Sequence, residues 1–380
     1  MLLLPLFYTI IHLKLPPKYN TRRALRSLKR RNSFKKKKTA KNKSYIGLGK
    51  KQVEYKKRYT NKYRFYRHVR APKDFSFLKN PQTVIGFINI LKKHFDAKIK
   101  VFVVLKHVTD IDYGSIVVLL AIMIRFKSQK IAFDGNVPDN QYARSFLESS
   151  GFFEGLSRTY TDTDQYQVNN FNSSYYQKWK KHKNTIHTHA RKRVDAELGL
   201  RITQIASETI WGEKYRYPGV QKILLELMQN TNNHASEESA GVKHWWLSIN
   251  HNEEKKMVSF CFVDFGIGVF KSLESKPTGS IFYGALDIVK KLVNYRNNAD
   301  FLKLILDGTM HTTVTNKPYR RKGLPGIAET LRRNQISNLF VITNNVFANV
   351  SKDKYHLLND DFEGTFLYWE LDTENGNYFK

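Results

Sequence analysis

Apolar residues recur at two spacings between residues 72 and 156, and these spacings predict alternating helices and strands. The helical runs are "TVIGFINILKKHF" and "GSIVVLLAIMIRFK", and the short apolar runs typical of buried strands are "KVFVVL" and "QKIAFDG". A further helix is predicted in "DNQYARSFLESSGF", with Asp139 as its N-cap and Gly151 as its C-cap. This order predicts an α/β unit with a mostly parallel sheet.

Helical spacing returns near residue 196, after a polar stretch (residues 157–195) with little periodicity that we interpret as a linker. The predicted helices are "RITQIASETIW" and "GVQKILLELMQNTNNHA", and the predicted strands are "HWWLSIN", "MVSFCFV" and "FEGTFLYWEL". Between the last two strands, "GSIFYGALDIVKKLV" and "ADFLKLIL" predict two more helices. The second half is therefore expected to be α+β.

Charge is concentrated at the start of the chain. Of the formal net charge of +31, residues 1–71 carry +22, from 23 lysines and arginines and a single acidic residue, Glu54, and the other 309 residues carry +9. Runs of like charge are typical of flexible tails. Tyrosines and phenylalanines interleave with the basic residues, so this arm is also a candidate for nucleic-acid binding, and a second interpretation has it fold back on its own protein.

Other features of composition exclude some classes of protein. The single cysteine, Cys261, rules out a structural disulfide within the chain and is expected to be a core residue of its strand, which suits a reducing compartment. The apolar opening "MLLLPLFYTIIHL" is too short to cross a bilayer. We therefore expect a cytoplasmic protein without a membrane span.

Polar residues cluster on the predicted helix that contains "ELMQNTNNHA". Glu226 and Asn230 are four residues apart and share one face of that helix. A solvated polar face would explain them equally well in isolation. The alternative is a face that presents a carboxylate and an amide to a ligand.

Glycine motifs follow at the ends of later elements. The strand "MVSFCFV" runs into "DFGIG", where Asp264 could accept a hydrogen bond from an exocyclic amine and Gly266 and Gly268 let backbone approach a flat base. In "RRKGLPGIAETLRR", Lys322, Gly323 and Gly326 precede or begin a helix, a favourable place for phosphate.

The unit at residues 72–156 resembles the STAS domains of anti-sigma factor antagonists. The stretch "HVTDIDYGSIVVLLA" lies where that family has a turn containing a phosphorylatable serine. Asp112 matches the family, but Tyr113 and Gly114 replace the pair that includes the serine, and Ser115 does not align cleanly. The departure favours a docking or structural role for this unit.

The later motifs, taken in order, resemble the GHKL ATP-binding fold (Bergerat fold) of gyrases, chaperones, histidine kinases and mismatch-repair proteins. The resemblance covers about residues 196–372 and implies ATP and Mg²⁺ as ligands. It implies that Asn230 binds Mg²⁺, that Glu226 acts on the attacking water or hydroxyl, and that Asp264 holds the adenine amine. The phosphates would contact the second glycine motif, and Thr365 of "EGTF" would lie near adenine. The motif "GLPGI" departs from the family's Gly-x-Gly-Leu-Gly-Leu.

The expected organisation is a basic, flexible arm (1–71), a STAS-like α/β domain (72–156), a linker (157–195), a GHKL two-layer α/β sandwich (196–372) and a tail (373–380). The expected function is Mg²⁺-dependent ATP hydrolysis or phosphate transfer to a protein, as a regulatory switch with a protein partner. One alternative is a nucleic-acid-binding protein with the ATP site as a conformational switch, and another is a non-hydrolysing scaffold. "THARKR" lacks the acidic residue and proline that usually follow the phosphoacceptor histidine of histidine kinases, so we do not expect that activity. The sequence makes no prediction about the oligomeric state.

Overall fold

The computed structural model describes residues 63–157, 184–189, 196–234, 245–274, 297–308 and 323–375. Contacts within the chain define two compact units, Met1–Phe65 and Tyr66–Lys380. Three of the sequence expectations lie outside the described residues: the basic arm up to residue 62, the first helix predicted after "DFGIG" (279–293), and Lys322.

An amino-terminal α/β segment comprises residues 66–157 of the second unit. Its elements are β1 (Arg67–Arg70), β2 (Asp74–Phe75), α1 (Pro81–Asp96), β3 (Val101–Val104), β4 (Asp110–Ile111), α2 (Tyr113–Ser128), β5 (Phe133–Asn136), α3 (Gln141–Ser149) and α4 (Phe152–Ser157). The sheet has the order β1-β3-β5 with both pairs parallel, and β2 and β4 form a separate parallel pair. The prediction of a parallel α/β unit is confirmed.

Two local expectations for this segment need correction. The basic arm was expected to extend to residue 71, whereas Arg67–Arg70 form β1, because this stretch pairs in parallel with β3 and buries Val69. The N-cap of α3 is Asn140 rather than Asp139, since the Asn140 side chain accepts the N–H of Ala143.

A carboxy-terminal segment, residues 184–375, is built on a five-stranded antiparallel sheet of order β6-β7-β8-β10-β9. Its elements are β6 (Asn184–His189), α5 (Ala196–Trp211), α6 (Pro218–His234), β7 (Trp245–Asn252), β8 (Met257–Asp264), α7 (Gly268–Glu274), α8 (Asn298–Leu306), α9 (Leu324–Arg332), β9 (Ser337–Asn349) and β10 (Lys354–Leu371). The edge strand β6 lies within the stretch expected to be a linker, because its polar residues pair with β7 through backbone. As a whole the chain is mixed α/β with parallel and antiparallel sheets.

Each face of the antiparallel sheet belongs to a different hydrophobic core. Phe260 and Phe262 of β8 pack in the core that holds α5, α6, α8 and α9. Cys261 and Val263, which point the other way, pack in the core of the amino-terminal segment. Burial raises the pKa of the Cys261 thiol well above its usual value, so this cysteine is a core residue, as expected.

Helix α2 explains why the sheet is covered on both faces. It is apolar all round, and 12 of its 16 residues are buried, as expected for a helix packed on more than one side. It contacts β7 and β8, and a Cβ at Gly114 would lie 2.8 Å from the ring of Phe366 in β10. The sandwich was expected to have two layers, but the amino-terminal segment adds a layer on the second face. In the ranges that the structure describes, no helix combines the length and apolar character needed to cross a membrane.

Candidate functional site

Three strands place polar side chains in one row at one end of the antiparallel sheet. Asp264, the last residue of β8, pairs with Thr365 of β10, and Thr365 pairs with Thr343 of β9. Phe260 and Phe262 of β8 lie in the core beneath α6, and side chains alternate along a strand. The alternation therefore directs Asp264 to the face of the sheet that carries α6, and its cross-strand partners share that face.

Gly364 allows β10 to approach β8 at this row. Its φ is +121°, and a Cβ built there would lie 1.9 Å from the carbonyl oxygen of Asp264. No other residue fits this position without moving the backbone. The glycine of the Gly-Thr motif is therefore what allows β10 to lie this close to Asp264.

The carboxylate of Asp264 is only partly compensated for its removal from water. Its Oδ1 accepts the N–H of Gly266 at 2.9 Å, and the backbone N–H of Thr365 also donates to the carboxylate. Burial nevertheless raises the pKa of Asp264 to about 6, and the two N–H groups oppose this shift. At neutral pH the group is mostly ionised, and a carboxylate has about four acceptor sites. Asp264 can therefore accept a further donor.

The two glycines of the "DFGIG" motif have different environments. A Cβ at Gly266 would lie 3.1 Å from Oδ1 of Asp264. Gly268 has a φ of +76°, and a Cβ there would lie 2.5–2.7 Å from the side-chain amide of Asn344. Gly268 thus allows a close approach between this loop and β9.

Two polar residues of β9 in this region, Thr343 and Asn344, were not among those predicted from the sequence. They are 0% and 3% exposed, and both form hydrogen bonds with the loop that follows β8 or with the first turn of α7. A signal was present, because "TNN" interrupts the otherwise apolar strand "LFVITNNVFANV". Only the pairing of distant strands shows what these residues contact.

Helix α6 begins at Pro218, one residue before the predicted helical run, and carries Glu226 and Asn230. Its buried side includes Ile223, Leu224 and Leu227, in the same core as β8. Glu226 is half-buried at the border of that side. The structure describes the helical backbone of Asn230 but not its side chain, so the metal-ligand expectation stays a prediction.

The second glycine motif forms the start of α9. Gly323 is the N-cap, no side chain caps the helix, and Pro325 lies in its first turn. The N–H of Gly326 donates to the carbonyl of Gly323 at 2.9 Å. In this conformation the N–H of Gly326 is already paired, so the turn would have to change before Gly326 could offer it to a phosphate.

The amino-terminal segment contacts this end of the sheet on the face opposite to α6. The guanidinium of Arg125 in α2 lies 5.8 Å from the ring centroid of Phe265, the second residue of "DFGIG", and 4.8 Å from that of Phe95. Cations at such distances from aromatic rings are attracted to them. The residue that follows Asp264 therefore contacts the amino-terminal segment.

A second contact from the amino-terminal segment reaches the residue before Gly364. Lys92 of α1, which is buried, forms an ion pair with Glu363. Burial lowers the pKa of Lys92 to about 7, and nearby Arg125 acts in the same direction, while the ion pair itself favours the charged form. Asp361, in the same stretch of β10, pairs with Lys271 of α7 at 3.0 Å. This stretch of β10 thus links α1, α7 and the Gly-Thr motif.

The turn that leads into α2 in the amino-terminal segment is closed to solvent. Asp112 is the N-cap of α2 and accepts the N–H of Ser115 at 2.8 Å. The side chain of Ser115 is fully buried, so its hydroxyl is inaccessible to a kinase in this conformation. This geometry favours a structural role for the turn.

No family model matches this chain, and no curated protein matches it in sequence. Among the described residues, no group of three or more His, Cys, Asp or Glu side chains is arranged to hold a metal ion. The row at Asp264, helix α6 and the two glycine motifs are therefore the features that bear on the function of this chain.

Proposed function

We propose that this chain is a Mg²⁺-dependent ATP-binding protein of GHKL type, in which the nucleotide site responds to the STAS-like amino-terminal segment. The observation that carries the proposal is the row Asp264–Thr365–Thr343 on the α6 face of the sheet. It brings the Asp-x-Gly-x-Gly and Gly-Thr motifs, which are 100 residues apart, into register. The order of the two motifs along the chain does not by itself place them side by side.

The chemistry of the row suits adenine. A half-buried carboxylate with acceptor sites remaining would accept a hydrogen bond from the exocyclic amine. Gly266 beside it leaves room for a flat base, and Thr365 supplies a hydroxyl on the same face of the sheet. The raised pKa of Asp264 further supports the proposal, since perturbed groups cluster at functional sites.

Helix α6 would supply the groups for the triphosphate. Asn230 would hold Mg²⁺ through its amide oxygen, and the metal, when bound, would neutralise phosphate charge. Glu226, one turn earlier, would orient or deprotonate a water or a protein hydroxyl. ATP is thus the proposed ligand, and a protein is the proposed partner or phosphoacceptor.

Calorimetric titration with ATP and with GTP, each with Mg²⁺, tests the proposal. Guanine carries a carbonyl oxygen where adenine carries the amine, so we expect binding of ATP and at least a tenfold weaker binding of GTP, about 1.4 kcal/mol. Equal affinities would contradict the adenine contact, and no binding of either would contradict the proposed function.

Glu226→Gln should bind ATP like the wild type and lose about 10²–10⁴-fold in turnover.

A further observation supports the coupling to the amino-terminal segment. Arg125 contacts Phe265, which directly follows Asp264. Lys92 contacts Glu363, which directly precedes Gly364. Arg125→Met keeps an apolar stem and removes the cation, so we expect ATP affinity to fall about threefold to tenfold in a protein that stays folded. Arg201→Met on α5, which removes an exposed i,i+4 ion pair with Glu197, is the matched control and should leave affinity unchanged. Equal affinities in both variants would contradict the coupling.

A further inference from the structure

Two buried polar residues of β9 contact the loop that follows β8 and the first turn of α7. We propose that Thr343 and Asn344, named here the β9 clamp, are positioning residues of the nucleotide site: they hold the "DFGIG" loop and the first turn of α7 in the shape that presents Asp264 and Gly266 to the base. This inference rests on the proposed function.

Thr343 ties the loop after β8 to the Gly-Thr motif. Its hydroxyl oxygen accepts the N–H of Val269 at 3.0 Å, and the hydroxyl donates to the carbonyl of Gly364 at 3.1 Å. Gly364 is the residue that touches the Asp264 backbone. One fully buried hydroxyl therefore links both chain segments that border the Asp264 carboxylate.

Asn344 holds the loop through both ends of its amide. The side-chain oxygen accepts the N–H of Phe270 at 3.1 Å, and the side-chain nitrogen donates to the carbonyl of Ile267 at 3.0 Å. Asn344 has a φ of +48°, a conformation that asparagine tolerates better than most residues. Gly268 is packed against this amide so closely that it has no room for a Cβ.

Helix α7 depends on the clamp because it cannot cap itself. The residue before it, Ile267, has no side-chain acceptor, so the N–H groups of Val269 and Phe270 would otherwise lack partners. The acceptors come instead from β9, 74 residues further along the chain. Buried polar groups in a strand are costly unless they are paired. Here their pairing fixes the loop that contains Gly266 and Gly268.

Substitution of Thr343 tests the clamp with two readouts. Thr343→Val removes the hydroxyl and keeps the size of the side chain, and Thr343→Ser keeps the hydroxyl. Thr203→Val is the matched control, because Thr203 is also fully buried and, among the residues that the structure describes, its hydroxyl bonds only to Leu200 of its own helix α5. The readouts are amide hydrogen exchange at Val269 and Phe270, and ATP affinity by calorimetry.

We expect Thr343→Val to speed exchange at Val269 and Phe270 at least tenfold and to weaken ATP binding about tenfold. Thr343→Ser should restore both, and Thr203→Val should change neither, although it costs similar stability. Unchanged exchange in Thr343→Val would overturn the clamp, and faster exchange with unchanged ATP affinity would overturn its positioning role. If the wild type binds no ATP, the proposed function fails, and the exchange data alone decide whether the clamp holds the loop.

Discussion

Asp112 and Asp264 each lie at the end of a strand, but their surroundings differ. Asp112, just after β4, accepts three hydrogen bonds: from the Ser76 hydroxyl at 2.6 Å, the Leu78 N–H at 3.0 Å and the Ser115 N–H at 2.8 Å. Asp264, at the end of β8, accepts two backbone N–H groups, from Gly266 and Thr365, and burial raises its pKa to about 6.

The difference separates a structural turn from a candidate binding turn. The Asp112 carboxylate joins the start of α1 to the start of α2, so its donors come from the fold itself. The Asp264 carboxylate lies on the α6 face with acceptor sites remaining, and its desolvation is a cost to stability. Uncompensated groups of this kind are typical of functional sites.

The largest effect is expected at the glycine beside Asp264. Gly364→Ala should lower the free energy of unfolding by about 3–5 kcal/mol, because it adds backbone strain and a clash with the Asp264 carbonyl. Chemical denaturation measures the loss. Gly212→Ala is the control, because Gly212 also has a positive φ, +83°, but open space around it, and it should cost only about 1 kcal/mol. Similar costs in the two variants would contradict the close approach of β10 to β8.

Removal of the structural carboxylate should come next. Asp112→Ala leaves three donors without their acceptor, and we expect a loss of about 2–4 kcal/mol in the free energy of unfolding. Asp139→Ala, which breaks an exposed ion pair with Lys106, should stay within about 0.5 kcal/mol. The folded fraction of Asp112→Ala should still bind ATP, and specific loss of binding would erase the contrast between the two turns.

Asp264→Asn should act in the opposite direction on stability. The folded-state pKa of Asp264 is about 6 against an ordinary value of 3.8. Its contribution to stability is therefore full below pH 4 and is lost as the pH rises through 6. At pH 8 the asparagine variant avoids that loss, so we expect its free energy of unfolding to rise by about 1–2 kcal/mol.

The same variant should bind ATP about 10–100-fold more weakly, because a charge-assisted hydrogen bond is lost. Thermal unfolding and calorimetry on one preparation give both numbers. A variant that is less stable and binds normally would make Asp264 a structural residue like Asp112.

The smallest effect concerns pH. As the pH falls from 7 to 5, protonation of Asp264 should weaken ATP binding by the wild type by up to about tenfold, beyond any change in Asp264→Asn. The variant serves as the control because the phosphates of ATP titrate equally in both proteins. Parallel pH profiles of affinity would show that the Asp264 carboxylate does not contact the ligand.

Much of the secondary structure could be predicted, because apolar spacing is a local property. The helices α2 and α6 and the strands β3 and β8 lie where their patterns predict them. The edge strands β1, β6 and β9 were missed. Few residues of β1 and β6 are apolar, and their order comes from backbone pairing with β3 and β7. Strand β9 was missed although it contains the apolar run "LFVI". Periodicity along the sequence does not show backbone pairing between distant strands.

The sequence alone determined the chemistry available at the candidate site: a carboxylate at the end of an apolar strand, glycines after it, and a carboxylate and an amide four residues apart on one helix. Tertiary structure decided which of these groups meet. The register of β8, β10 and β9 brings Asp264, Thr365 and Thr343 into one row, and the packing of α2 covers the other face of the sheet. Both depend on contacts between residues far apart in the chain, whose energies no local pattern contains.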